Sequence, residues 1–323
     1  MALLLAVALT VPSQAAEKRG AVAFHYGPAL TQKQLDFFGK FAVLVTHDPL
    51  PRAQVEALHE RGTKLALYEW TVAFYRTLVQ PGSWQARLLR NRSQLLNRKP
   101  LKGHAGSQEA DAFYYDPHDY AKPRSSAIVK RLRAIGYDGI FLDTTTFESV
   151  HPDALAEYQR RHNEPYDAGV ARFLKALRAK DVLIVTNQGY RAAGHYLPYA
   201  HYDVTESLLS RPWHDEGNRW NSVDFLIPQM IVPAAERYPD VRFVHLNYGS
   251  DVERIVATAL LFEQEAFVAS HDVQETVFSD LYFVDLGKAT GEIERDGLTW
   301  TRAFERGRVI VSPAGGKLER AIP

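Results

Sequence analysis

Asp143 and Glu206 are the residues of this sequence best suited to act together. Asp143 closes the apolar run Gly139 to Asp143 (GIFLD), and Glu206 closes Tyr202 to Glu206 (YDVTE). A carboxylate at the end of an apolar run is costly unless something engages it. Two carboxyl groups flanking a glycosidic bond can cleave it. One must be protonated to assist the leaving oxygen, and the other ionised. Each residue also has a plainer reading, as the cap of a following helix or the partner of a rim arginine.

Such a pair needs a scaffold that brings separate chain segments to one face. Eight short apolar runs recur along the chain: 21–25, 41–47, 64–70, 139–143, 182–187, 202–206, 241–248 and 266–272. They are continuous rather than alternating, as expected of parallel strands covered on both faces. Segments with helical spacing lie between them, at 32–38, 51–61, 125–135, 153–161, 168–179 and 250–265. Gly62, Gly136 and Asp181 stand where helices should stop. This alternation predicts an α/β fold, either a (β/α)8 TIM barrel or a doubly wound sheet. The count of eight favours the barrel, and no G-x-G-x-x-G opens a helix after the first strand.

In a barrel the polar residues at the C-terminal strand ends surround the active-site mouth. Read strand by strand, these are His25 and Tyr26, His47 and Asp48, then Tyr68, Glu69 and Trp70. Asp143, Asn187, Gln188, Glu206, Asn247, Tyr248, His271 and Asp272 follow. Aromatic faces stack on pyranose rings, while amides and carboxylates bond hydroxyls. The predicted partner is therefore a carbohydrate. His25, Tyr26, Tyr68, Glu69, Asp116, Asn187, Gln188, Asn247, Tyr248 and Asp272 are the candidate substrate-binding residues. No cofactor and no metal is expected.

The stretch Gly136-Tyr137-Asp138-Gly139-Ile140-Phe141-Leu142-Asp143 resembles the G-(F/Y)-D-G-(V/I)-x-x-D element of the endo-α-1,4-polygalactosaminidase family of glycoside hydrolases and its uncharacterised (β/α)8-barrel relatives. Arg61 to Tyr68 (RGTKLALY) is similar to that family's approach to the third strand, and Tyr115-Asp116-Pro117 to the Asp ahead of its fourth. The resemblance covers roughly residues 21 to 272. It implies a catalytic pair made of the Asp closing the fourth strand, here Asp143, and a Glu on a later strand, here Glu206. It also implies retention and an aminosugar substrate. Two departures are visible. Thr144 stands where the family usually has Asn, and Val204-Thr205-Glu206-Ser207 replaces its Asn-Glu cluster with Cys. Asp143 is read as nucleophile and Glu206 as acid/base, with the exchanged roles as the alternative.

The rest of the chain bounds this reading. Lys+Arg and Asp+Glu are 38 each, giving no net charge. A balanced chain offers no basic face for nucleic acid and none for an anionic membrane. There is no cysteine, which excludes disulfides, thiol catalysis and Cys-ligated metals. Leu3 to Val11 followed by Ala15-Ala16 reads as a secretory signal over 1–16, too short to span a bilayer. The mature protein is then expected to be a secreted or periplasmic monomer, not inserted in a membrane. Residues 17–275 would form the barrel and 276–323 a small β-rich appendage containing a hairpin. A long insertion, Trp70 to Asp111, follows the third strand, with Gly103, His104 and Gly106 near its end. Phe113 to Asp116 (FYYD) reads as a short extra strand or loop, and Trp84, Trp213 and Trp220 as sugar platforms or packing residues.

Two other classes compete. A catalytically silent carbohydrate-binding barrel has the same fold. A metal-dependent barrel hydrolase would draw on His25, His47, His195, His245 and His271, but no His-x-His follows the first strand.

Overall fold

The computed structural model describes residues 20–79, 81, 84–102, 111–143, 145, 147–210 and 222–320. The apolar run Leu3 to Val11, Ala15, Ala16, Gly103, His104, Gly106, Thr144, Thr146, Trp213 and Trp220 lie outside the described residues.

The barrel is built from β1 (Gly20–His25), α1 (Gln32–Phe38), β2 (Phe41–Thr46), α2 (Arg52–Glu60) and β3 (Lys64–Trp70). The insertion contributes β4 (Ala73–Tyr75), α3 (Trp84–Arg90) and β5 (Ala112–Tyr114). Next come α4 (Ala121–Ile135), β6 (Gly139–Asp143), α5 (Pro152–His162), α6 (Tyr166–Arg178) and β7 (Leu183–Asn187). The round ends with α7 (Ala193–Tyr196), β8 (Tyr202–Glu206), α8 (Val232–Arg237), β9 (Arg242–Tyr248), α9 (Val252–Leu261) and β10 (Glu265–Ala269). The strands form one parallel sheet in the order β1-β2-β3-β6-β7-β8-β9-β10. β10 comes round beside β1, where the Phe24 and Phe267 rings lie 5.9 Å apart. This is a nearly closed (β/α)8 TIM-like barrel.

Its interior is aromatic below and polar above. Phe24 on β1 meets Phe141 on β6 edge-on at 5.2 Å, a contact between strands that are not neighbours. The two rings therefore cross the lumen. Two residues further along those strands come Tyr26 and Asp143, on the same face by the period of a strand. The filled lower layer gives the mouth a rigid floor.

The punctuation is local. Thr31 and Gln34 form a capping box on α1, a device that typically contributes about 1 kcal/mol. α5 starts with Pro152 behind the His151 cap and stops at Asn163 in the left-handed region. Gly62, Gly136 and Asp181 all have positive φ, which halts the preceding helix.

The insertion carries antiparallel pairing of β4 with β5, so the FYYD stretch begins in a strand. A second, antiparallel sheet follows the barrel: β11 (Glu294–Asp296), β12 (Thr299–Phe304), β13 (Gly307–Ser312) and β14 (Gly315–Arg320). The expected hairpin is its β12–β13 pair. The sheet lies on α9, with Trp300 buried against Phe262 and under the Arg295 guanidinium. At Gly316 an added Cβ would stand 2.7 Å from the Arg254 backbone, so only glycine permits this approach. Residues between β10 and this sheet pack back on the barrel through Tyr282 and Phe283, which meet Phe267 and Phe41. No described helix is long and apolar enough to cross a membrane.

Candidate active site

Strand alternation decides which polar strand ends enter the mouth. On β3, Tyr68 and Trp70 share one face and Glu69 takes the other. On β6, Asp143 follows Phe141 inward. On β7, β8 and β9 the inward ends are Asn187, Glu206 and Tyr248. These side chains form one network. Asn187 Nδ2 donates to Asp143 Oδ1 at 2.7 Å and to Glu206 Oε2 at 2.7 Å. Tyr68 Oη donates to Asp143 Oδ2, and Tyr248 Oη donates to Glu206 Oε1 at 2.5 Å. Tyr26 from β1 joins through a hydrogen bond with Tyr248. The two carboxylates thus share one donor nitrogen, and their facing oxygens are at most twice 2.7 Å apart.

The amide presents its nitrogen to both groups, because the carboxyl oxygens facing it accept. Its own Oδ1 is buried without a partner among the described residues. Burial raises the Glu206 pKa, and the Asp143 charge raises it further; the Tyr248 and Asn187 hydrogen bonds oppose both. Burial and the adjacent carboxylates hold the Tyr68 and Tyr248 hydroxyls well above the usual phenol range. Both phenols therefore stay protonated donors. Beside them runs an aromatic wall. The half-exposed His47 ring lies 5.0 Å from Tyr68, and Trp70 meets Tyr75 edge-on at 5.2 Å. The Asp143 charge, second to burial, raises the Tyr75 pKa.

Other candidates sit elsewhere. Glu69 is buried on the outer face of β3, where Arg124 and Arg131 of α4 each approach at 3.5 Å. Burial keeps its pKa above the usual value despite both cations. His25 also points outward: its ring packs on Phe38 and its Nε2 meets the Ala29 carbonyl at 3.2 Å. Asp116 is fully buried and held by Arg161 and His162 of α5. Gln188 has left-handed backbone and accepts from Arg191 Nε at 2.8 Å. Asn247 accepts from Leu209 N at 2.7 Å, bracing the segment after Glu206. Asp272 is exposed in its own turn, accepting from Ser270 Oγ and Gln274 N. The inward group is thus Tyr26, Tyr68, Asn187 and Tyr248 around Asp143 and Glu206, and the other six named residues lie outside it.

Sequence reading missed two residues of this region. Tyr75 comes from the insertion, where only the density of aromatics from Trp70 to Tyr75 hints at it. Asp203 lies inside a strand one position from the faces that matter, and its signal was a carboxylate in mid-run.

Among the described residues, His25 and His245 are engaged away from the mouth. His245 hydrogen-bonds Gln264 and is fully buried, and His25 braces α1. Among the described residues the trio able to approach one ion is His118, Asp119 and His162. Its two imidazoles stack at 4.3 Å and 12°. One ring nitrogen of each is engaged by a carboxylate, Glu164 for His118 and Asp116 for His162. Stacked rings hold their in-plane lone pairs in nearly parallel planes, which do not converge as the ligands of a tetrahedral ion do.

A (β/α)8 barrel with paired acidic strand ends and aromatic walls at its C-terminal mouth is an arrangement that glycoside hydrolases use. The chain belongs to the family described as hypothetical glycosyl hydrolase family 15, whose model matches residues 90–308. No curated protein matches the sequence significantly. Among solved structures, the glycoside hydrolase domain of PelA from Pseudomonas aeruginosa is similar over 79% of this chain and 96% of its own, with TM-score 0.55 and 21% identity. Alpha-N-acetylgalactosaminidase NagBb from Bifidobacterium bifidum, solved with GalNAc, is similar over 93% of this chain and 57% of its own (TM-score 0.52, 14% identity). Eubacterium rectale Amy13B is similar over 92% and 86% (TM-score 0.53, 10% identity). At these identities the likeness is one of fold.

Proposed function

We propose that the protein hydrolyses O-glycosidic bonds in a polysaccharide or oligosaccharide with retention, using Asp143 as nucleophile and Glu206 as acid/base. The observation that carries this is the shared donor: both carboxylates bond Asn187 Nδ2 at 2.7 Å. That bound on the facing oxygens is compatible with the roughly 5–5.5 Å of a retaining pair and supports this reading over inversion. Burial and the Asp143 charge raise the Glu206 pKa, which favours the protonated form a general acid needs.

The Asp143 carboxylate attacks the anomeric carbon while the bond to the leaving oxygen breaks. That oxygen takes the Glu206 proton. Water then gives a proton to Glu206 and attacks the same carbon, which releases the Asp143 carboxylate. Asn187 and Tyr248 hold Glu206 throughout, and Tyr68 holds the nucleophile.

The proposed substrate contains an aminosugar. Two carboxylates in an aromatic mouth attract a cationic sugar and offer it stacking faces. The resemblance of the Gly136 to Asp143 element points the same way, and the name of NagBb, an alpha-N-acetylgalactosaminidase, points to the neutral N-acetylated form of such a sugar. The proposed site of action is outside the cytoplasm, on the strength of the apolar run and small residues before residue 17.

The test is release of reducing ends from α-1,4-linked galactosamine oligomers, with their N-acetylated forms and neutral glucans in parallel. Cleavage of the first alone supports the aminosugar reading, and cleavage of glucans alone overturns it. Binding by the wild type without release of reducing ends from any of them would leave a carbohydrate-binding barrel.

A further inference from the structure

The mouth network depends on Asn187, and something must hold Asn187 in place. The chain turns sharply just beyond it. Gln188 takes left-handed backbone with φ 59°, and its amide donates to the Val204 carbonyl at 2.7 Å. The next two amides, Gly189 N and Tyr190 N, both donate to the Asp203 carboxylate, at 2.7 and 2.9 Å. Thr186 Oγ1 donates to the same carboxylate at 2.7 Å. Asp203 is fully buried, on the face of β8 opposite Glu206. The fit is close: a Cβ at Gly189 would stand 2.8 Å from Asp203 Oδ1 and 2.7 Å from Thr186 Oγ1. A carboxylate and two successive amides make a small anion nest, here closed on a side chain of the protein itself.

The structure assigns Asp203 the role of a positioning residue, whose carboxylate clasps the turn at 186–190 and thereby fixes Asn187 between Asp143 and Glu206. The clasp spans the residues on both sides of Asn187, Thr186 before it and Gly189 after it, so the Asn187 backbone has little freedom to rotate. Thr145 Oγ1 completes the hold by donating to the Asn187 carbonyl. β8 therefore serves the mouth twice. Glu206 acts inside it, and Asp203 works from behind the neighbouring strand. Burial, with no cation among the influences on it, lifts the Asp203 pKa to about 7. An apolar residue there would leave these three buried donors without their acceptor. This role rests on the proposed catalysis, although its geometric consequence does not.

Asp203→Asn in the full chain tests it, because the amide matches the carboxylate in shape but cannot accept from all three donors. The variant should crystallise with the Asn187 amide turned from at least one of Asp143 and Glu206. On α-1,4-galactosamine oligomers kcat should fall about 10- to 100-fold with KM within about threefold, since a displacement near 1 Å can have that effect. A crystal structure with the bridge intact, or an unchanged kcat, overturns the role. If the wild type hydrolyses nothing, the catalytic reading fails while the crystal structure still decides the positioning. Should Asp203→Asn not fold, Thr186→Val removes one donor without touching the carboxylate. It should lower kcat about two- to tenfold and loosen the turn, and a wild-type kcat in that variant overturns the role.

Discussion

Asp143 on β6 and Glu206 on β8 accept hydrogen bonds from one nitrogen, Asn187 Nδ2, each at 2.7 Å. β7, the strand between theirs, supplies that nitrogen. The amide lets two carboxylates stand close while it relieves part of their mutual repulsion. Asn187→Ala should therefore reduce kcat by about 10- to 100-fold. Loss of the hydrogen bond also raises the Glu206 pKa further, because that bond favours the ionised form. The alkaline limb of the kcat/KM profile should move to higher pH. A pH–rate profile checks the sign, and a limb that stays or moves down would contradict the bridging role.

Removing either carboxylate should be far more severe. Asp143→Ala and Glu206→Ala should each lower kcat by about 10³-fold or more. Azide separates the roles. With Glu206→Ala it should restore turnover and give a glycosyl azide of retained configuration, because the covalent step on Asp143 survives. With Asp143→Ala the azide product should be inverted. The opposite pattern would exchange the two assignments.

Tyr248→Phe isolates one influence on Glu206. Its hydroxyl bonds Glu206 at 2.5 Å and lowers the Glu206 pKa. The phenylalanine variant should keep the fold and shift the alkaline limb upward, by less than one pH unit to about one for a single lost hydrogen bond. Activity at a fixed pH above that limb should then rise relative to the variant's own optimum.

Stability should report on Asp203. Its folded pKa, about 7, lies above the ordinary carboxylate value of 3.8. A carboxyl raised in the folded state favours folding at low pH, and this contribution is lost as pH rises through about 4 to 7. The interval corresponds to roughly 4 kcal/mol. Asp203→Asn should flatten the fall in melting temperature across that window, as followed by thermal denaturation. An identical pH dependence in wild type and variant would show that another group carries it.

Glu69 should matter for stability and not for turnover. It is buried with Arg124 and Arg131 at 3.5 Å each, behind the mouth. Glu69→Ala leaves Arg124 buried without this carboxylate, at a cost of about 3–5 kcal/mol. The melting temperature should drop on the order of 10 °C. The kcat of the folded fraction should stay within about twofold. A kcat loss of 100-fold would return Glu69 to the site.

The architecture was legible because its signals are local. Continuous apolar runs mark strands buried on both faces, and left-handed stops such as Gly136 mark the ends of the helices between them. The order of these signals specifies a (β/α)8 barrel, and its strand ends include Asp143 and Glu206. What they could not specify was the side of the strand on which a residue lies. Tyr68 and Glu69 are adjacent and both polar at their tips, yet one bonds Asp143 and the other an arginine pair. His25 beside Tyr26 and Asn247 beside Tyr248 divide in the same way. A strand covered on both faces has no polar–apolar alternation to reveal its inner side. Only closure of the barrel, with Phe24 and Phe141 meeting across the lumen, sets that phase. The sequence determined the barrel and offered the two strand-end carboxylates as candidates. The tertiary structure decided their partners and the clasp of Asp203 behind Asn187, because those contacts join strands that no local pattern relates.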